Sequence, residues 1–191
     1  TGASVGIGQA AAQLFLDDGF EVYNLSRRDC PLPGVHNIGC DLASVESVTQ
    51  ATTTLATAVA TCDSVTIVYN ASQMRKDSAD ACSSDDMRAV LETNVVAINS
   101  INQVLIPLLP PASSILYIGS TLSEKAVASS FSYVVSKHAQ LGMMRATCQD
   151  LMGKGIHTAL ICPGFTDTEM LRTHIGNDPD VVQAIGNMNS F

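Results

Sequence analysis

The chain has 191 residues, of which 46% are hydrophobic and 15% are charged, so it can build one domain with a buried core. Its formal net charge of −8 argues against a nucleic-acid partner and against an anionic membrane surface. No apolar run reaches the roughly 20 residues that cross a bilayer. The six cysteines include no C-x-x-C pair, so we predict no metal site and interpret them as reduced, buried thiols of a cytoplasmic protein.

Helical and strand periods alternate along the chain. The spacing of apolar residues predicts helices over 8–18, 42–60, 84–106 and 132–152, and strands over 21–25, 65–69, 114–118 and 156–161. Ser44 and Ser84 are the expected N-caps of the second and third helices, and Gly19 and Gly153 should end the first and last. This alternation is typical of βαβ units, so we predict a single three-layer α/β/α domain around a doubly wound parallel sheet.

A glycine-rich turn, T-G-A-S-V-G-I-G, opens the chain directly before the first helix. Glycines in such a turn let the backbone approach a pyrophosphate that binds at the helix N-terminus. A turn of this kind normally follows a strand. We therefore expect that a first strand is missing before Thr1 and that the sheet has a gap in its middle.

Tyr133 and Lys137 lie four residues apart on a predicted helix and share one of its faces. Ser120 follows the strand 114–118 after one glycine, 13 residues before Tyr133. To exchange protons easily, a tyrosine hydroxyl must lower its pKa from about 10 toward about 7, a change of about 4 kcal/mol. A cation about 4 Å away supplies about that much at an effective dielectric constant near 20, so we expect Lys137 to lower the pKa of Tyr133.

The order of the motifs resembles the short-chain dehydrogenase/reductase family over nearly the whole chain. The matching residues are Thr1, Gly2, Gly6 and Gly8 of the turn, Asn70-Ala71, Asn94, Ser120, Tyr133 with Lys137, and Pro163, Gly164 and Thr168. Ser72 departs from the glycine that usually completes the N-A-G motif. The resemblance implies a Rossmann-like fold and a ketoreductase-like oxidoreductase that interconverts a carbonyl and a secondary alcohol by hydride transfer.

The resemblance also implies roles for individual residues. Tyr133 would donate the proton, Ser120 would bind the substrate oxygen, Lys137 would also hold the nicotinamide ribose, and Asn94 would hold a water that links Lys137 to solvent. The expected cofactor-binding residues are Gly2, Ser4, Gly6, Ile7, Gly8, Ser26, Arg27, Asp41, Leu42, Asn70, Ala71, Tyr133, Lys137, Pro163, Gly164, Thr166 and Thr168.

The choice of cofactor depends on the end of the second strand. An acid there would bind the free ribose hydroxyls of NAD, but this chain has Ser26-Arg27-Arg28, and its first acid is Asp29. Arg27 can bind the extra phosphate of NADP, with Ser26 donating beside it. Val5 stands where some phosphate-selective members carry a second basic residue. We predict NADP(H).

The substrate pocket should be built from residues 121–130 and from an apolar lid over 165–189, and should take a small carbonyl or alcohol compound. Family members usually continue to one more strand, so we expect the chain to lack its last strand as well. Helices 84–106 and 132–152 carry apolar residues on more than one side, and the resemblance implies a homodimer or homotetramer built on them. The residues concerned are Val95, Val96, Ile98, Ile101, Leu141, Met143 and Met144.

Two other functions stay open. The chain could be a non-catalytic regulatory or scaffold member that binds NADP(H), or a sugar-nucleotide epimerase or dehydratase, although the latter have the turn T-G-x-x-G-x-x-G. Ser136, beside Lys137, is interpreted as a small packing residue. His138 lies about 140° around the helix from Tyr133, and is interpreted as a packing or interface histidine.

Overall fold

The computed structural model describes residues 1–176 and residue 183. The strands are β1 (Val22–Ser26), β2 (Val35–Gly39), β3 (Thr66–Tyr69), β4 (Ser114–Ile118) and β5 (His157–Ile161). The α-helices are α1 (Gly6–Asp17), α2 (Val45–Val59), α3 (Ser84–Leu91), α4 (Ala97–Leu105), α5 (Phe131–Asp150) and α6 (Glu169–Ile175). A π turn, Glu92–Val96, joins α3 to α4, and 3-10 turns lie at Ile106–Leu108 and Thr121–Ser123.

The predicted helices and strands are present in the predicted order, with β2 and α6 in addition and with the predicted helix 84–106 divided by the π turn into α3 and α4. β2 was missed because only two of its five residues, Val35 and Ile38, are apolar, and none of the five is fully buried. The Ser44 hydroxyl caps α2 as predicted, accepting from the Ser47 amide at 3.2 Å. The predicted cap at Ser84 is wrong, because the hydroxyl of Ser83 accepts from the Asp86 amide at 3.0 Å.

All described strand pairs are parallel, and they form two separate ladders, β1-β2 and β3-β4-β5. The predicted gap in the sheet lies between β1 and β3, where apolar side chains line a cavity of about 180 Å³. The first two residues bridge this gap. The Thr1 nitrogen donates to the Val68 carbonyl at 2.7 Å, and the Gly2 amide donates to the Leu25 carbonyl at 3.1 Å.

The main core lies between the β3-β4-β5 ladder and helices α2, α4 and α5. Ile98 and Ile101 of α4 are each 2% exposed and belong to this core, so their assignment to a subunit interface is wrong. Val96 and Val104, on the other side of the same helical stretch, are exposed. Ile98 and Ile101 follow the core-facing period of the helix, and Val96 and Val104 fall outside it.

The helical stretch Ser84–Leu108, 25 residues long, is long and apolar enough to cross a membrane. A search for uninterrupted apolar runs overlooks it, because charged residues occupy its first turns. Core helices meet the same criterion. Here Ile101 and Leu105 place its second half in the core of the α/β domain.

Two sequence interpretations concern exposure. All six cysteines are free, but only Cys30 and Cys40 are buried, so the expectation of buried thiols is wrong for the other four. The predicted lid, 165–189, includes α6, whereas its residues 177–182 and 184–189 lie outside the described part of the chain.

Candidate active site

The glycine-rich turn is tied to both ladders. The Thr1 hydroxyl accepts from the amides of Asn70 and Ala71, each at 3.1 Å, and the side-chain amide of Asn70 donates to the Gly2 carbonyl at 3.0 Å. On the other side, the Ala3 amide donates to Asn24 Oδ1 at 2.9 Å. These contacts explain why the glycine-rich turn and the Asn70-Ala71 motif occur together in one chain.

The geometry of the turn requires glycine at two positions. A Cβ on Gly8 would lie 2.2 Å from the Gly2 carbonyl oxygen, so no larger residue fits. Gly6 has φ of +60°, a left-handed conformation that favours glycine. Helix α1 begins here with no side-chain cap and no acidic residue in its first turn. Its first amides and the positive end of its dipole therefore face the turn and can bind an anion.

The segment after β5 reaches the same turn. Pro163 accepts through its carbonyl from the Thr121 amide at 3.1 Å, and the Thr166 hydroxyl donates to the Gly164 carbonyl at 3.4 Å. Thr168 caps α6, and its methyl group would lie 3.1 Å from a Cβ added to Gly6. Of the residues predicted from P-G-x-x-x-T, Thr168 thus lies beside the glycine-rich turn, in which Ser4 and Ile7 are partly buried, whereas Pro163 contacts Thr121.

Ser120 and Tyr133 meet beyond the carboxyl end of β4. Ser120 accepts through its hydroxyl from the Leu122 amide at 3.1 Å, which fixes the start of the 3-10 turn. Tyr133, on the first turn of α5, is 8% exposed. Burial raises the pKa of the Tyr133 phenol above its ordinary value, and a hydrogen bond with the Ser120 hydroxyl opposes this rise.

The expected lowering of the Tyr133 pKa by Lys137 is therefore wrong for this structure. The Lys137 ammonium lies 5.4 Å from the centre of the Tyr133 ring and directs its hydrogen bonds elsewhere. It donates to the Ile118 carbonyl at 2.9 Å and to Gln140 Oε1 at 3.0 Å. Desolvation of the buried phenol outweighs its hydrogen bond with Ser120, and the Lys137 donors point to other oxygens.

Lys137 is 2% exposed, an expensive place for a cation. Burial lowers the pKa of its ammonium to about 8, and the nearby Cys162 thiol opposes this shift. A buried cation at the carboxyl end of a parallel sheet is a frequent mark of a functional site.

Asn94 lies in the π turn and is fully buried. Its side chain accepts from the Gln73 amide at 2.7 Å and donates to the Gln73 carbonyl and to the Ser136 hydroxyl, each at 2.9 Å. Its main-chain carbonyl accepts from Gln140 Nε2 at 2.8 Å. Asn94 therefore connects the loop after β3 to α5.

Sequence reasoning missed Gln140 and underrated Ser136. Both are buried on α5 and hydrogen-bonded to Asn94, so Ser136 does more than fill space. The one signal available was the position of Gln140, three residues after Lys137 and so on a neighbouring part of the same helix face. His138 is exposed and its Nδ1 lies 3.0 Å from the Val134 carbonyl oxygen, away from the site as expected.

The end of β1 differs from the sequence expectation in one respect. The Ser26 hydroxyl donates to the Arg28 carbonyl, so its proton is already engaged. Arg27 is exposed, and its side chain has no ion-pair or hydrogen-bond partner within the described residues, whereas Arg28 pairs with Glu169 at 3.3 Å.

The predicted adenine-contacting residues follow β2. Asp41 accepts through its carboxylate from the Ala43 amide at 3.0 Å. Leu42 beside it is buried.

The sequence of the chain matches the short chain dehydrogenase family over residues 1–178. The chain belongs to this family. The family binds a nicotinamide cofactor, and the three-layer α/β fold with its parallel strands is the fold of its members.

Similar proteins agree with this assignment. The chain is 30% identical over 180 residues to carbonyl reductase family member 4 of Danio rerio, covering 88% of this chain and 75% of that protein. It superposes on the ligand-free aldohexose dehydrogenase of Thermoplasma acidophilum with a TM-score of 0.86, at 25% identity, covering 96% and 73% of the two chains. A short chain dehydrogenase of Burkholderia cenocepacia in complex with NADP gives a TM-score of 0.76 at 27% identity, with coverages of 88% and 74%.

Proposed function

We propose that the protein is an NADP(H)-dependent oxidoreductase that interconverts a small carbonyl compound and a secondary alcohol, with Tyr133, Ser120 and Lys137 as its catalytic residues. The observation that carries this proposal is the buried Lys137 ammonium beside Tyr133, at the same sheet edge as the glycine-rich turn. Burying a cation is unfavourable for folding, so its presence at this edge favours a chemical role over a structural one.

The residues present fit a dinucleotide. A pyrophosphate can bind at the N-terminus of α1, which has no side-chain cap. It can approach the backbone there closely, because Gly6 and Gly8 have no Cβ atom. Tyr133 and Lys137 are placed to hold the nicotinamide end, where the cofactor, when bound, supplies the hydride. Lys137 has a third N–H besides those bound by Ile118 and Gln140, and this donor can bind a ribose hydroxyl.

The Tyr133 phenol is in the protonated state that reduction of a carbonyl uses. A phenol with a raised pKa stays protonated at neutral pH and can donate its proton to an oxygen on which charge develops. Ser120, which is hydrogen-bonded to that phenol, would bind the same substrate oxygen and stabilise its charge. The fall in the pKa of Tyr133 that the reverse reaction needs has to come from changes that accompany binding.

The preference for NADP rests on Arg27. This guanidinium is exposed at the end of β1, next to the glycine-rich turn, and is not engaged by a described residue. No acidic residue stands at positions 24–28 to bind free ribose hydroxyls. We expect Arg27→Ala to weaken NADPH binding about tenfold while leaving NADH binding nearly unchanged. Arg28→Ala is the matched control, because Arg28 is already paired with Glu169.

The exposed apolar residues Val96, Val104 and Phe131 support a homodimer or homotetramer built on the α3–α4 stretch and α5. A cytoplasmic location, as proposed for this enzyme, suits its six free cysteines. Light scattering at micromolar concentration should give at least twice the chain mass, and a monomer mass would contradict the assembly.

The test of function is oxidation of NADPH in the presence of a panel of aldehydes and ketones of increasing size. The wild-type protein should reduce members of the panel, and Ser120→Ala should lower kcat by about 100-fold, since it removes a donor to the developing oxyanion. A protein that binds NADPH but reduces no carbonyl compound would instead support the regulatory alternative.

A further inference from the structure

Gln140 joins Lys137 to the π turn. The residue is 1% exposed, accepts from the Lys137 ammonium at 3.0 Å, and donates to the main-chain oxygen of Asn94 at 2.8 Å. Its partners fix the orientation of the side-chain amide, because an ammonium group can only donate and a carbonyl can only accept. The amide therefore spans the space between Asn94 and Lys137 that the family resemblance gives to a water molecule.

We propose that Gln140 is a positioning residue for the Lys137 ammonium, a role that rests on the oxidoreductase function proposed above. A lysine has a long flexible stem and three rotatable donors, so it needs fixed acceptors to hold one orientation. The Ile118 carbonyl and Gln140 Oε1 occupy two of these donors. The third is left for a ligand.

A second contact from α5 holds Asn94 in place. Ser136, four residues before Gln140, accepts through its hydroxyl from Asn94 Nδ2 at 2.9 Å and donates to the Tyr133 carbonyl at 2.8 Å. Two side chains one helical turn apart therefore hold Asn94, one at its side chain and one at its main chain. Lys137 follows Ser136 directly, so the position of its ammonium is coupled to the π turn through Gln140.

Gln140 also stabilises the charged form of Lys137 against burial. Its Oε1 accepts from the ammonium, which favours the protonated state. Among the described residues, the titratable groups that face Lys137 are the Tyr133 phenol on α5 and the Cys162 thiol after β5, whereas the contacts from β4 and the π turn are neutral. Loss of the Gln140 oxygen should thus lower the pKa of Lys137, and a carboxylate in its place should raise it.

The test is an NMR titration of protein labelled with ¹³C at the lysine side chains. The chain has four lysines, and Lys76, Lys125 and Lys154 are exposed, so the Lys137 signal is the displaced one and is assigned by its loss in Lys137→Arg. We expect Gln140→Met to lower the Lys137 pKa by roughly one to two units, the strength of a hydrogen bond to a charged group. Gln140→Glu should raise it.

The control is Gln149→Met, which makes the same change at an exposed position of α5 and should leave the Lys137 signal unchanged. If Gln140→Met does not fold, the Lys137 pKa in Gln140→Glu still tests the proposal, because glutamate keeps the size of the glutamine side chain. A variant at position 140 that is less stable but titrates Lys137 at the wild-type pH would overturn the proposal and leave Gln140 a structural role only.

Kinetics separate this proposal from the proposed function. In an active enzyme, Gln140→Met should lower kcat/KM about tenfold and move the pH profile in the direction of the Lys137 pKa, whereas Gln149→Met should do neither. If the wild-type protein reduces no carbonyl compound, the proposed function fails, but the NMR titration still tests the coupling of Gln140 to Lys137.

Discussion

Two buried polar clusters connect the same helices to the same sheet. The lysine cluster consists of Asn94, Ser136, Lys137 and Gln140, and it lies at the carboxyl end of β4. The tyrosine cluster consists of Tyr69, Asn102, Tyr117 and Thr147, and it joins β3 and β4 to the helices. Asn94 bridges the loop after β3 to α5, whereas Asn102 bridges Tyr69 of β3 to Tyr117 of β4, and Tyr117 in turn contacts Thr147 of α5.

The clusters differ in charge and in what they reach. In the tyrosine cluster all groups are neutral, Tyr69 and Tyr117 face each other in register on β3 and β4, and their rings lie 5.3 Å apart. The lysine cluster holds a cation and adjoins Tyr133, on the first turn of α5. The polar groups of both clusters are hydrogen-bonded, so hydrogen bonding alone does not identify a functional site. The buried charge of Lys137, which folding does not require, is the feature that identifies one.

The largest expected effect is on activity, from Lys137→Met. The variant keeps an apolar stem of similar length and removes the ammonium that lies beside Tyr133 and that we propose binds the ribose. We expect kcat/KM to fall by more than about 100-fold, with weaker NADPH binding. Lys154→Met, at an exposed position, is the control and should have near-normal kinetics. Equal loss in both variants would contradict a special role for Lys137.

The pH dependence of stability should distinguish the charged cluster from the neutral one. Because burial lowers the pKa of Lys137 from 10.5 to about 8, the unfolded chain binds more protons than the folded one between these values. Stability should therefore rise with pH across this window, and the destabilisation, about 3 kcal/mol, is complete below it. Urea unfolding from about pH 7 to about pH 11 should show this rise in wild type relative to Lys137→Met, in which the other titrating groups are the same. Parallel curves would contradict it.

A change in the tyrosine cluster should affect stability alone. Asn102→Leu keeps the approximate volume of the side chain but removes the acceptor of the Tyr69 hydroxyl and a donor to the Tyr117 hydroxyl. Leaving such a buried hydroxyl unpaired costs about 2 kcal/mol in the free energy of unfolding. Activity should stay within about twofold of wild type. Asn99→Leu, at an exposed position of α4, is the matched control, and activity lost in Asn102→Leu alone would break the distinction between the clusters.

The sequence predicted those parts of the molecule that local patterns determine. Buried strands such as 65–69 and 114–118 are apolar on both faces, so parallel packing followed from their composition. β2 was missed because its exposure leaves no such pattern. The motif residues were found because their spacing carries the information.

Contacts distant in sequence were beyond prediction. Gln140 meets the Asn94 carbonyl 46 residues away, and nothing near Gln140 in the sequence marks that contact. The sign of the Tyr133 pKa shift depends on how deeply the folded chain buries the phenol, and the Lys137 donors point to the Ile118 carbonyl and Gln140 Oε1. A charge four residues away was known, but its orientation was not.

The most direct test of the account is a pair of identical substitutions, Tyr133→Phe and Tyr117→Phe, each of which removes one hydroxyl from a buried ring. We predict that Tyr133→Phe lowers kcat by about 100-fold or more and changes the free energy of unfolding by less than about 1 kcal/mol. We predict that Tyr117→Phe lowers the free energy of unfolding by about 1 to 2 kcal/mol and leaves kcat within about twofold of wild type. Near-normal turnover in Tyr133→Phe, or equal losses of activity in the two variants, would contradict the assignment of proton donation to Tyr133.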